Sequence, residues 1–386
     1  MRPVIRDLPA SRIREVANAG MGRDDVLAFW FGESDEVTPA TVRDAAIASL
    51  QRGETFYAQN FGLPPLREAV AAYASSLHRP IGPERIAITS SGVNALMLAT
   101  QALAGAGDEV VAVVPVWPNL TAQPAILGAR VTRVPLRVRE GASTLDLDRL
   151  LSAVTDRTTM LLVNAPNNPT GWTLARDEQR AILAHCRRTG TWIVADEVYE
   201  RLVFDLGVRA APSFADLAEP DDRLVVVGRF SKSFLMTGWR LGWLAAPAAL
   251  MDALGKLIEF NTSCAPVFVQ RAGLAALQQA QTLVPPMVER LRHCRDTLVP
   301  RLAALPRVTV ASPRGGMYAF FRIAGQDDSL ALAKRLVADH GLGLAPGVAF
   351  GPEAEGWLRW CFASREPARL VQGVQRLEAA IGAMAV

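Results

Sequence analysis

Five short apolar runs, each rich in β-branched residues and each ending in a polar turn, constrain this chain most. "RIAIT" (85–89) runs into "SSGVNAL", "EVVAVV" (109–114) into "PVWPN", "TMLLVN" (159–164) into "APNNPTG", "TWIVAD" (191–196) into "EVYE", and "RLVVVG" (223–228) into "RFSKSF". None alternates polar with apolar residues, which is the pattern of strands buried on both faces of a parallel sheet covered by helices. Helical stretches separate several of them. In "VNALMLATQALA", Leu96, Ala99 and Leu103 fall at helical spacing, and "LARDEQRAILAHCRRTG" carries its charges on one face and stops at Gly190. Strands alternating with helices predict an α/β fold with right-handed crossovers. The expected architecture is a three-layer α/β/α large domain with a mostly parallel sheet over residues 46–279. A long charged helix around "VERLRHCRDTLVPRLAAL", a strand-like "GMYAFFRI", a helix "SLALAKRLVADHG" and "WLRWCFA" predict a smaller α+β domain built from both chain ends, residues 1–45 and 280–386.

In such a sheet, ligands bind beyond the carboxyl ends of the strands. Ser91, Trp117, Asn168, Asp196 and Lys232 all fall there. The convergence of five strand ends on one rim is a stronger signal than any one of these residues. Composition narrows the partners. With 41 basic and 38 acidic residues the formal charge is +3, and no run of five like charges occurs. That balance argues against a nucleic-acid or membrane footprint. Cys186, Cys264, Cys294 and Cys361 lie far apart with no CxxC pair, which suggests free thiols in a reducing compartment. His78, His185, His293 and His340 make no metal-ligand spacing, so no metal is expected. The opening "MRPVIRDLPASRIRE" is too polar for a signal peptide, and no apolar run approaches the ~18 residues of a membrane helix. The expected location is the cytoplasm.

Lys232 is flanked by Ser231 and Ser233 just past a buried strand, among Phe230, Phe234 and Leu235. Burial lowers the pKa of a lysine, by roughly 3–5 units when complete. A neutral amine is a nucleophile that forms a Schiff base with a carbonyl. Arg240, eight residues on, stays protonated and suits a phosphate. A carbonyl compound that also carries a phosphate points to pyridoxal phosphate. Its ring nitrogen needs a carboxylate to stay protonated, and Asp196 ends "WIVAD" in the right place. Tyr199 and Asn168 offer donors to the ring oxygen, Trp117 offers a ring to stack on, and Ser91, Gly92 and Val93 offer backbone amides for the phosphate.

The chain resembles fold type I pyridoxal-phosphate enzymes of the aspartate aminotransferase superfamily, class I/II. The resemblance is carried by "SKSFLMTGWRLGW", "NNPTG", "DEVY", "FGESD", "FYAQNFGLPPLREAV" and "APGVAFG…GWLRWCFA", in the family's order from about residue 26 to 365. It implies exchange of an amino group between an L-amino acid and a 2-oxo acid by a ping-pong Schiff-base mechanism. It implies that Lys232 carries the Schiff base and moves the α-proton, and that Asp196 and Tyr199 act beside it. Ser91, Gly92, Val93 and Arg240 would hold the phosphate, Trp117 and Asn168 would meet the ring, and Ser231 would also touch the cofactor. Arg359 would bind the substrate α-carboxylate in a bidentate fork. Gly32 would let the N-terminal segment lie close to the substrate. Tyr57 would reach the phosphate of the other subunit, so a homodimer with shared sites is implied.

One position departs from the pattern: Arg229 stands where the family often has serine or threonine, either at the phosphate or turned away in a salt bridge. Arg14, Arg23 and Arg229 are candidates for binding a second carboxylate, while Phe31 and Tyr318 would suit apolar substrates. "GAGDEV" at 105 imitates a dinucleotide fingerprint, but it follows a helix and precedes a strand, the wrong order. Two alternatives stay open: a β-lyase, decarboxylase or cyclase on the same scaffold, and a ligand-sensing relative without catalysis.

Overall fold

A computed structural model describes residues 1–139 and 141–384 of the chain. The five apolar runs are strands of one seven-stranded sheet. Its strands are β1 (Ile86–Thr89), β2 (Glu109–Val114), β3 (Arg130–Pro135), β4 (Thr158–Asn164), β5 (Trp192–Asp196), β6 (Leu224–Arg229) and β7 (Gly242–Ala245). The spatial order is β1-β7-β6-β5-β4-β2-β3. Strands β2 to β6 pair in parallel. Only β7 runs against its neighbours, and it joins β1 to β6. Its sequence, "GWLA", is too short and too glycine-rich to stand out as a strand.

The missing alternation has a simple cause. Val111, Val113, Leu161, Val163 and Ile193 face one apolar layer, and Val110, Ala112, Val114, Leu162 and Val194 face the other. Both faces are covered by helices, so both sets of side chains are apolar. Each such valine, leucine or isoleucine, fully buried, stabilises the fold by roughly 1.5–3 kcal/mol. Parallel pairing also aligns the strand ends. Asn164 stands opposite Asp196, and Asp196 opposite Val227, so the carboxyl ends of three strands share one rim.

A second, antiparallel sheet of four strands contains Tyr318–Ile323 and Trp357–Cys361 as its central pair. The start of the chain belongs to this side of the molecule. Leu27–Ala28 pairs in parallel with Leu342–Gly343, and the helix Arg12–Gly20 packs on the helix Ser329–His340. Gly32 and Arg359 are thereby carried to the rim of the large sheet.

A buried ion network braces that rim from behind. His78 caps the helix Pro64–Leu77. Its Nδ1 lies 3.1 Å from Asp216 and its Nε2 3.3 Å from Glu200. Glu197, next to Asp196, accepts the Phe214 N–H at 3.2 Å. The ligand atoms of His78, Glu197 and Glu200 lie within 4.8 Å of one another, a grouping invisible in the sequence spacing. Both ring nitrogens are taken by carboxylates, so an imidazolium fits here. Burial pulls the His78 pKa down, but the bonds to Asp216 and Glu200 outweigh it and raise it to about 10. The raised value stabilises the fold fully below the ordinary histidine value of 6.5, and the benefit is lost as pH rises to about 10. His78→Gln is expected to cost about 3 kcal/mol near neutral pH by stranding buried carboxylates. Thermal melting at pH 6 and pH 10 checks this: the gap between wild type and variant should narrow at the higher pH.

Candidate active site

One cavity of about 870 Å³ opens on the rim where the two sheets meet. Asn168, Asp196, Tyr199, Lys232, Trp117, Arg359 and Gly32 all line it. They come from six separate segments of the chain, brought together by strand register and by the N-terminal segment crossing over. Six basic residues (Arg12, Arg14, Arg133, Arg229, Lys232 and Arg359) face a single acid, Asp196. Such a wall selects anionic ligands.

Asp196 is almost wholly buried at the end of β5. Its Oδ2 accepts from Arg229 Nη2 at 2.7 Å, and its Oδ1 lies 3.4 Å from the Val198 N–H. Burial pushes the carboxyl pKa up, and the Arg229 guanidinium opposes that. Lys232 sits in the turn after β6, its amine donating to the Gly32 carbonyl. Burial and the positive charges of Arg229 and Arg359 lower its pKa to about 8, with Cys361 and Glu33 pulling the other way. The neutral amine, a nucleophile and a base, is therefore far more accessible near neutral pH than for an ordinary lysine. Gly32 permits the close approach, because a Cβ there would lie 2.1 Å from the Tyr318 hydroxyl.

Arg359, on the strand Trp357–Cys361, is held in one plane. Its guanidinium lies 4.6 Å from the Tyr318 ring centre and 5.0 Å from that of Phe350. Nη1 donates to Asn168 Oδ1 at 3.0 Å and Nη2 to the Trp30 carbonyl. Its Nε is buried with no partner among the described residues. A buried donor left unpaired is costly, and a ligand carboxylate would satisfy it. Asn168 itself is positioned by Asn164, whose Oδ1 accepts the Asn168 N–H at 2.8 Å and whose Nδ2 donates to the Asp196 carbonyl at 2.9 Å. In the sequence Asn164 looks like no more than the last residue of a strand, and its four-residue spacing to Asn168 in "NAPNN" is the one sign of this role. Tyr199 and Tyr318 share a hydroxyl–hydroxyl bond of 2.7 Å, and burial raises the Tyr199 pKa to about 12, so both phenols keep their protons.

The remaining expected residues do not line this cavity. Ser91 is buried, with its backbone at φ 140°, and its Oγ caps the helix Gly92–Leu103 by accepting the Asn94 N–H at 3.1 Å. The N-terminus of that helix, with Gly92 and Val93, is a ready anion site. Ser231 lines a small adjoining pocket with Lys232. Arg240 is exposed, and its Nη1 donates to the Thr237 carbonyl at 2.8 Å. Tyr57 is 89% exposed and away from the cavity. Of the three arginines considered for a second carboxylate, Arg23 pairs with Asp25 outside the cavity, whereas Arg14 lines it, 5.5 Å from the Phe31 ring centre.

The family model for aminotransferase class I and II matches residues 26–377. The chain belongs to this family. As a class I and II aminotransferase it uses pyridoxal 5'-phosphate and transfers amino groups. It is 31% identical to an aspartate aminotransferase of Pyrococcus horikoshii over 96% of this chain and 94% of the relative. It is 34% identical to an arginine–pyruvate transaminase of Pseudomonas aeruginosa over 90% of this chain and 87% of the relative. Among solved structures, an aspartate aminotransferase of Thermotoga maritima superposes with a TM-score of 0.90 at 31% identity, covering 99% of this chain and 100% of that one. The aminotransferase's own residues suit the cofactor. An enclosed amine, a buried acid, an aromatic wall and a capped helix N-terminus answer its aldehyde, ring nitrogen, ring face and phosphate. Among the described residues, no helix is long and apolar enough to cross a membrane.

Proposed function

We propose that this aminotransferase exchanges the amino group of an L-amino acid with a 2-oxo acid in two half-reactions, with the roles now given. The observation that carries the reading is the pairing of Lys232 and Asp196 across one cavity whose other wall holds Arg359 with an unpartnered buried Nε. Bound here, pyridoxal phosphate supplies the electron sink that makes the substrate α-carbon acidic. Lys232 Nζ takes the α-proton and returns it on the other side of the exchange. Asp196 would keep a proton on the ring nitrogen by its negative charge. The Tyr199 hydroxyl and the Asn168 amide would bond the ring oxygen, and Trp117 would cover the ring. Ser91, Gly92, Val93 and Arg240 would hold the phosphate, with Ser231 beside the cofactor. Arg359, planar between Tyr318 and Phe350, orients the α-carboxylate, which also opposes loss of that group by decarboxylation.

Beyond Arg359 the cavity reaches Arg14 and Phe31. Arg12 and Arg133 are already paired with Glu15 and Glu353, whereas Arg14 has no carboxylate partner among the described residues. That difference favours a substrate with an acidic side chain. We assign residues 46–279 to the cofactor-holding domain and 1–45 with 280–386 to the smaller one, supported by the pairing of Leu27–Ala28 with Leu342–Gly343. Phe56, Tyr57 and Phe260 are 84%, 89% and 89% exposed, an apolar surface suited to a homodimer in which Tyr57 reaches the partner's phosphate. Four free cysteines fit the cytoplasm.

The test is a panel of L-amino acids added to the loaded enzyme, with products identified by mass. Aspartate and glutamate are expected to give one equivalent of their 2-oxo acids, faster than leucine. Release of ammonia with pyruvate, or no reaction with any amino acid, would replace this reading by a lyase or a non-catalytic one.

A further inference from the structure

Arg229 is the position at which this chain departs from its family, and its contacts are unusual. It ends β6, and its side chain runs directly over Gly92 at the start of the helix Gly92–Leu103. A Cβ on Gly92 would lie 1.9 Å from Arg229 Nε and 2.1 Å from its Cδ. The guanidinium then lies 5.0 Å from the Trp117 ring centre and bonds Asp196 at 2.7 Å. Its Nε is buried without a partner among the described residues. Trp117 and Asp196 are the same two groups that the cofactor ring needs, one for its face and one for its nitrogen. A flat cation bonded to Asp196 and resting on Trp117 matches a protonated pyridine ring in shape and charge. Both cannot hold these places together.

We infer that Arg229 is an exchanging residue: it partners Asp196 and Trp117 until the cofactor ring takes them, and then turns its guanidinium to the cofactor's phosphate. The inference rests on the cofactor assignment given above. The direction of the turn follows from the path of the side chain. Its stem already crosses Gly92, the N-terminal end of the helix proposed to hold the phosphate, so a rotation of the outer torsions moves the charge from the acid to that end. The unpartnered Nε would gain an acceptor in the second position. Serine or threonine, common at this place in the family, is too short to reach Asp196 and could bind only the phosphate. Arg229 therefore ties recognition of the ring to recognition of the phosphate. A ligand bearing both groups displaces the guanidinium from one anion and gives it another. A ligand with the ring alone strands it.

Equilibrium dialysis of the full chain, freed of cofactor, against pyridoxal phosphate and against pyridoxal tests this. Wild type should strongly prefer the phosphorylated ligand. In Arg229→Ser, pyridoxal should bind roughly tenfold or more tightly than to wild type, and pyridoxal phosphate more weakly, each by the worth of a charged hydrogen bond. Arg229→Gln, similar in size but uncharged, should behave alike and serves if the serine variant melts early. Weakened pyridoxal phosphate with unchanged pyridoxal would make Arg229 a plain phosphate ligand and overturn the exchange. Equal tightening of both ligands would make it a mere obstruction and overturn it too. Failure of wild type to bind pyridoxal phosphate at all would instead remove the cofactor assignment, and the inference with it.

Discussion

Lys232→Ala is expected to abolish amino-group transfer while leaving the chain folded. Loss of the positioned base and nucleophile should slow single-turnover formation of the 2-oxo acid by roughly 10⁴-fold or more. The stability side of this prediction has a definite sign. Burial holds the Lys232 pKa at about 8, below its ordinary value of 10.5. Between these values the unfolded chain binds more protons, so stability rises with pH across that interval, and below pH 8 the penalty is complete. Removing the amine at pH 7 relieves the penalty, at the loss of one bond to the Gly32 carbonyl. The cofactor-free variant should therefore melt no lower than cofactor-free wild type. Transfer at the wild-type rate would refute the role of Lys232. A collapse of the melting temperature would show that the amine is chiefly structural.

The strand ends were legible because burial on both faces leaves a strong compositional trace. Runs such as "EVVAVV" admit little but a covered parallel strand, and parallel strands deliver their terminal residues to one edge. The same reasoning puts Asp196, Asn168, Trp117 and Lys232 at that edge, and all four line the cavity. β7 was less visible, since four residues with a glycine carry no periodic signal, and its antiparallel direction depends on tertiary context. Asn164 was hidden by its own strand, and the His78 network by distance along the chain. His78, Glu200 and Asp216 meet only because the helix Pro64–Leu77 ends against the turn that follows β5. Arg229 is recognisable as a departure, but the two positions expected for it, at the phosphate or turned away in a salt bridge, both miss the one found: its salt bridge is to Asp196, inside the cavity. The crowding at Gly92 gives a reason to expect the phosphate position in turn.

Asp196→Asn isolates the other half of the central pair. Asparagine keeps the shape and a hydrogen-bonding oxygen but cannot hold a cation on the ring nitrogen. Turnover should fall by roughly 10²–10³-fold, the usual loss when one preorganised electrostatic partner is removed. KM should change little, because the missing interaction serves the developing charge rather than substrate binding. The same change also removes the negative charge that pairs with Arg229, whose side chain is only 9% exposed, even though the amide oxygen can still accept its hydrogen bond. An uncompensated buried guanidinium costs about 3–5 kcal/mol, so the cofactor-free variant should melt well below wild type. Adding Arg229→Ser removes the stranded charge and should restore much of that stability. It should restore none of the turnover, since the ring nitrogen still lacks its carboxylate. Melting temperature and turnover number therefore separate in the double variant. Recovery of both together would mean that Asp196 serves only to hold Arg229, and its assignment to the ring nitrogen would fall.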